Sequence, residues 1–89
     1  MSLSGQNALV VGGGTGMGEA IALGLAAEGA TVAVAGRRQE KLDAVTAQAE
    51  GILTHTVDVG DRPSVQALFD WATETFGGRL DLLVNCAGV

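Results

Sequence analysis

The segment from Gly12 to Gly18 reads GGGTGMG, so five of its seven residues are glycine. It separates a short apolar run, Ala8 to Val11, from a stretch over Gly16 to Glu28 whose apolar residues recur at helical spacing. Glycine lacks a Cβ and adopts positive φ freely, so such a segment turns tightly and lets another group approach the backbone. The chain holds 14 glycines but one proline. That balance is not linker or low-complexity material, and the glycines are expected to hold specific turns.

The rest of the chain alternates between two periods. Ala8 to Val11 reads as a buried strand. The next helix, Gly16 to Glu28, carries Met17, Ala20, Ile21, Gly24 and Leu25 as one apolar stripe and has Gly29 just past its end. Thr31 to Ala35 is a second strand closed by Gly36, and Gln39 to Glu50 a surface helix with Leu42, Val45 and Ala49 in register, ended by Gly51. Ile52 to Val57 is a third strand. Asp61 is placed to cap a third helix over Arg62 to Phe76, with Pro63 in its first turn and Val65, Leu68, Phe69, Ala72 and Phe76 on one face. Gly77 and Gly78 stop it, and Leu82 to Val84 is a fourth strand. Strands alternating with helices of this length build βαβ units on one parallel sheet covered on both faces. The expected fold is α/β, a Rossmann-type doubly wound parallel sheet in three αβα layers, β1-α1-β2-α2-β3-α3-β4, with strand order 3-2-1-4. Ligands bind such sheets where the winding reverses, between the first and fourth strands.

Charge narrows the partners. Ten acidic residues against five basic ones give a net charge of −5, the wrong field for nucleic acid or an anionic membrane surface. The longest apolar run, Ala20 to Ala27, has eight residues, far short of the roughly 20 that span a bilayer. The N-terminus MSLSGQN lacks the basic start and cleavage-like site of a secretory signal. With Cys86 as the one cysteine no intrachain disulfide forms, and a cytoplasmic setting is expected. No group of His, Cys and carboxylates has metal-ligand spacing, so no metal is expected. His55 reads as a half-exposed strand residue, Cys86 as a small buried side chain and Trp71 as packing beside the third helix's stripe.

The glycine segment excludes two phosphate-binding patterns. A GxGxxG starting at Gly12 needs glycine where Met17 stands, and a Walker loop needs lysine where Glu19 follows Gly18. G-x-x-x-G-x-G through Gly12, Gly16 and Gly18 does fit. A helix N-terminus offers unpaired N–H groups and about half a positive charge, and glycines clear the Cβ atoms that would hold a phosphate away. The segment therefore suits a diphosphate. A dinucleotide-binding fold separates its two cofactors at the end of the second strand, where an acid accepts the ribose 2′-OH and an arginine accommodates a 2′-phosphate. Here Gly36, Arg37 and Arg38 follow that strand with no carboxylate, so NADP(H) is expected ahead of NAD(H). Taken singly, each arginine also reads as a solvated residue ahead of the second helix.

VGGGTGMG after the first strand, AGRR after the second, VDV after the third and NCAG after the fourth resemble, in order and spacing, the cofactor half of the short-chain dehydrogenase/reductase family. Val11 stands where that family usually has threonine, and Cys86 where it has a second asparagine. The resemblance implies that Asp58 accepts from the adenine amine, that the Val59 backbone approaches the ring, and that Asn85, Ala87 and Gly88 lie along the cofactor ribose. Asp58 also reads as the start of a turn, and Asn85 as a strand-end polar residue. The expected cofactor-binding set is Gly12, Gly14, Thr15, Gly16, Met17, Gly18, Gly36, Arg37, Arg38, Asp58, Val59, Asn85, Ala87 and Gly88. The family's Ser, Tyr and Lys, which move the proton during carbonyl/alcohol hydride transfer, lie beyond the NCAG position, and this chain has no tyrosine. No catalytic residue is assigned within it. Residues 1–89 are thus expected to be the NAD(P)-binding segment of a longer single-domain enzyme of about 250 residues, acting on a small-molecule carbonyl or alcohol and forming a homo-oligomer at full length. A stand-alone nucleotide-binding or regulatory module is the alternative.

Overall fold

Continuous apolar runs on β1 and β2 organise the molecule, because each strand buries both of its faces. The computed structural model describes residues 3–12 and 16–86. Its elements are β1 (Asn7–Val11), α1 (Gly16–Ala27), β2 (Thr31–Gly36), α2 (Gln39–Thr46), β3 (Leu53–Thr56), α3 (Arg62–Thr75) and β4 (Leu82–Asn85). The four strands are parallel in the order β3-β2-β1-β4. Asn7 to Val11 pair with Thr31 to Ala35, Ala8 to Val11 with Leu82 to Asn85, and Ala33 to Gly36 with Leu53 to Thr56. The doubly wound sheet and its 3-2-1-4 order are therefore as the sequence predicts.

Side chains of successive strand residues point to opposite faces. Ala8, Val10, Val32 and Val34 meet Ala22 of α1, Leu42 and Val45 of α2, and Ile52. Leu9, Val11, Ala33 and Ala35 meet Leu68, Ala72 and Phe76 of α3, and Val57. Helices α1 and α2 thus cover one face and α3 the other. Each fully buried leucine or valine contributes roughly 1.5–3 kcal/mol by leaving water, and the two central strands hold most of them.

Three local expectations need correction. The inward stripe of α1 is Gly18, Ile21, Ala22, Leu25 and Ala26, one residue later than the predicted stripe; Met17, Ala20 and Gly24 are exposed. The helix lies closest to the sheet through its smallest residues, and Gly18 and Ala22 are the ones buried. Helix α2 ends at Thr46 instead of Glu50. The Thr46 hydroxyl donates back to the Asp43 carbonyl at 2.9 Å and the Gln48 N–H to Val45 O at 3.0 Å, which tightens and closes the last turn. Asp61 occupies the N-cap of α3, yet its side chain makes no capping hydrogen bond. The other boundaries lie within one or two residues of those predicted. Gly29 acts as foreseen: at φ +95° it follows α1 while the Ala30 N–H reaches the Leu25 carbonyl at 3.1 Å, a left-handed C-terminal turn that a side chain would strain.

Candidate functional site

Parallel strands bring all their C-terminal ends to one edge of the sheet. Along that edge lie, in spatial order, Asp58 after β3, Gly36 and Arg37 at β2, Gly12 after β1, and Asn85 and Cys86 at β4. Backbone bonds tie the row together: the Gly12 N–H donates to Ala35 O at 2.6 Å, the Cys86 N–H to Val11 O at 2.8 Å, and the Val57 N–H to Gly36 O at 2.8 Å. The valine and cysteine that replace the family's usual residues at 11 and 86 leave this pairing intact, since main-chain atoms make it. Gly12 takes φ +86°, which turns the chain sharply off β1.

The predicted site residues divide by position. Gly14, Thr15, Ala87 and Gly88 lie outside the described residues. Gly16 and Met17 open α1 on its exposed side, Met17 with 58% of its surface accessible, whereas Gly18 faces inward and is buried. A Cβ added at Gly16 would enter open space, so a ligand at this helix end meets bare backbone. Arg38 is exposed and sits at the N-cap of α2, where its carbonyl accepts from the Lys41 N–H at 3.1 Å. Val59 is half exposed and Asn85 exposed at the same edge.

Arg37 and Asp58 come together. They line a cleft of about 340 Å³ with Thr56, Val57 and Ser64, within the size range of small-ligand pockets. The cleft lies at the ends of β2 and β3, one strand pair away from the β1/β4 reversal. Among the described residues the ion pair is Arg79 with Asp81, at the opposite end of the sheet, so neither Arg37 nor Arg38 has a carboxylate partner. Asp58 is held by its own turn: its Oδ1 accepts from the Gly60 N–H at 3.0 Å, its carbonyl from the Asp61 N–H at 3.0 Å, and its N–H donates to Ser64 Oγ at 2.9 Å. Asp58 therefore serves as turn former and cleft wall at once, and the two sequence readings of it are compatible.

Thr56 and Ser64 are cleft residues that the sequence reading passed over. Their signal was present in their spacing. Thr56 closes a strand two residues before Asp58, and Ser64 stands three residues after the N-cap, where side chains reach back toward the preceding turn. His55, Trp71 and Cys86 behave as foreseen. The His55 ring packs on Trp71 with centroids 4.8 Å apart, and Cys86 is a free, buried thiol. No three-residue group able to hold a metal occurs among the described residues, and none of the described helices is long and apolar enough to cross a membrane.

A doubly wound parallel sheet with a glycine at the start of its first helix and an arginine–aspartate cleft along one edge is the α/β arrangement the sequence predicts. The family model for short chain dehydrogenases matches residues 6–89, and the chain belongs to that family. It is 43% identical over 88 residues to an uncharacterized oxidoreductase of Staphylococcus aureus strain USA300, covering 97% of this chain and 38% of that protein. It is 44% identical over 94 residues to a probable 2,4-dienoyl-CoA reductase of Caenorhabditis elegans, covering 97% of this chain and 29% of that one. Among solved structures, the 3-ketoacyl-(acyl-carrier-protein) reductase of Brucella melitensis, complexed with NADH, superposes with a TM-score of 0.85 at 31% identity. That match covers 92% of this chain and 34% of the Brucella chain. The chain thus spans well under half the length of these relatives.

Proposed function

We propose that this chain holds the adenosine and phosphate half of an NADP(H) site, in an oxidoreductase that moves hydride between a carbonyl and an alcohol carbon. Its own share of that activity is cofactor binding. The observation that carries the reading is the cleft at the ends of β2 and β3 that Arg37, which has no carboxylate partner among the described residues, lines together with Asp58. An arginine fork at the end of the second strand suits a ribose 2′-phosphate, and a carboxylate suits the exocyclic amine of adenine. The exposed N-terminal turn of α1, glycine at Gly16 and at the turn of Gly12, suits the diphosphate. Arg38, Val59 and Asn85 flank these groups along the same edge, and Gly14, Thr15, Ala87 and Gly88 are proposed with them on the family pattern alone.

A cofactor held by this half would supply or accept the hydride at its nicotinamide ring. The chain's residues bind and orient: Arg37 fixes the 2′-phosphate, Asp58 the purine, and the α1 backbone the diphosphate. Calorimetric titration of the chain with NADPH and NADH tests the reading. One charge-assisted phosphate contact contributes about 1.5–3 kcal/mol, so NADPH is expected to bind about 10- to 100-fold more tightly. Equal affinity or a preference for NADH overturns the role of Arg37, and no binding of either overturns the site.

A further inference from the structure

Asp58 alone does not determine where its carboxylate lies, because it leaves the sheet at a turn. Its N–H is the next donor after the Val57 N–H, whose bond to Gly36 O is the last that ties this segment to β2. The Asp58 N–H goes instead to a side chain, Ser64 Oγ, at 2.9 Å. Ser64 is the third residue of α3, behind Arg62 and Pro63. A glutamate or glutamine at this position commonly reaches back to the N-cap N–H. Here the hydroxyl reaches past Asp61, whose own side chain caps nothing, to the last residue before the turn. The same turn is closed by Gly60 N–H on Asp58 Oδ1 and by Asp61 N–H on the Asp58 carbonyl. One carboxylate oxygen is thereby fixed in the turn, and Oδ2 is left as an acceptor. Ser64 and Asp58 both line the cleft.

We propose that Ser64 is a positioning residue for purine recognition, which through the Asp58 N–H holds the Asp58 carboxylate where it accepts from the exocyclic amine of the bound base. The proposal rests on the dinucleotide reading above. The hydroxyl oxygen is the required atom, since it accepts the N–H bond; its proton remains free to donate. Removing it releases the backbone of Asp58 and lets the carboxylate swing out of register with the base. Selectivity for adenine then falls, whereas the 2′-phosphate contact of Arg37 and the diphosphate contacts of α1 stay as they were.

The test compares the full chain with its Ser64→Ala and Ser64→Thr variants. Each is titrated calorimetrically with NADPH and with the hypoxanthine analogue of NADPH, which presents a carbonyl oxygen in place of the amine. A hydrogen bond to a charged acceptor corresponds to about a tenfold preference for the adenine form in the unaltered chain. Ser64→Ala is expected to shrink that preference severalfold and Ser64→Thr to restore it. A merely structural serine would weaken both nucleotides alike, so an unchanged preference in Ser64→Ala overturns the proposal. Equal binding of the two nucleotides by the unaltered chain overturns it also, while binding of neither overturns the dinucleotide reading itself. Amide exchange of Asp58 in the unaltered chain decides the matter should Ser64→Ala not fold. Slow exchange that NADPH slows further supports the proposal, and exchange at the rate of a free amide in both states overturns it.

Discussion

Replacing Leu68 with alanine opens the α3 face of the core where nothing can refill it. Leu68 is 1% exposed and packs among Leu9, Val11, Ala33, Ala35, Val57, Ala72 and Phe76. Three of those neighbours are alanines, whose side chains have no rotamer that reaches into the vacated volume. Leucine-to-alanine changes in cores cost about 2.7–5 kcal/mol, more where the cavity does not collapse, so about 3–4 kcal/mol is expected here. Leu83, on the edge strand β4, is 52% exposed, and its truncation is expected to cost under about 1 kcal/mol. A domain of this size has a total stability of about 5–13 kcal/mol and a urea m-value near the low end of the usual range, about 1 kcal/mol/M. Leu68→Ala should therefore lower the urea midpoint by about 3 M and Leu83→Ala by well under 1 M. Trp71, the only tryptophan, lies on the same helix and packs against the same cluster, so its fluorescence reports the transition directly, with far-ultraviolet circular dichroism as a second probe. Equal shifts for the two leucines would refute the assignment of the α3 face.

Two further outcomes follow from charges. Arg37→Asp replaces the fork beside the cleft with an acid suited to a ribose 2′-OH; NADPH affinity is expected to fall at least about 30-fold and NADH affinity to hold or rise, read by the same titration. At the opposite end of the sheet, Asp81 accepts from the Asn7 N–H at 2.7 Å and from Arg79 Nε at 2.8 Å, while the Asn7 side chain donates to the Arg79 carbonyl. The Asn7 N–H first, and Arg79 second, hold the Asp81 carboxyl below its ordinary value of 3.8. A carboxyl depressed in the folded state binds its proton more readily when unfolded, so its contribution is complete above the ordinary value and is lost as pH falls through the lower folded one. Thermal melts at a series of pH values should show that acid loss in the unaltered chain and less of it in Asp81→Asn, and identical acid profiles would count against the clasp.

The architecture was legible because short apolar runs alternate with longer stretches of helical spacing along the chain, and because a glycine segment between strand and helix has few other uses. The phase of α1 was not. In GMGEAIALGLAA apolar residues lie nearly all round the helix, so two stripes one residue apart satisfy the same period. Packing chose the one that puts Gly18 and Ala22 against the sheet. The early end of α2 was hidden for another reason: Thr46 and Gln48 spend their polar groups on local carbonyls, a competition that apolar periodicity does not register. At the site, Arg37 and Asp58 stood out as charges beside strand ends, and the fold brought them into one cleft. Ser64 carried only its spacing from the N-cap, which does not say which N–H it meets. Its part depends on which backbone N–H the turn leaves unpaired, and that is fixed only once β3 and α3 meet.

The central claim is that a dinucleotide lies along the C-terminal ends of the strands, from Asp58 across Gly36 and Gly12 to Asn85. Backbone amide shifts of the labelled chain, followed during titration with NADPH, test it residue by residue. The amides of Gly12, Gly16, Gly36, Arg37, Asp58 and Asn85 are expected to move together with one dissociation constant, while those of Asn7, Arg79 and Asp81 at the far end of the sheet stay in place. Saturable shifts centred on the far end, or none at any of the six, would contradict it.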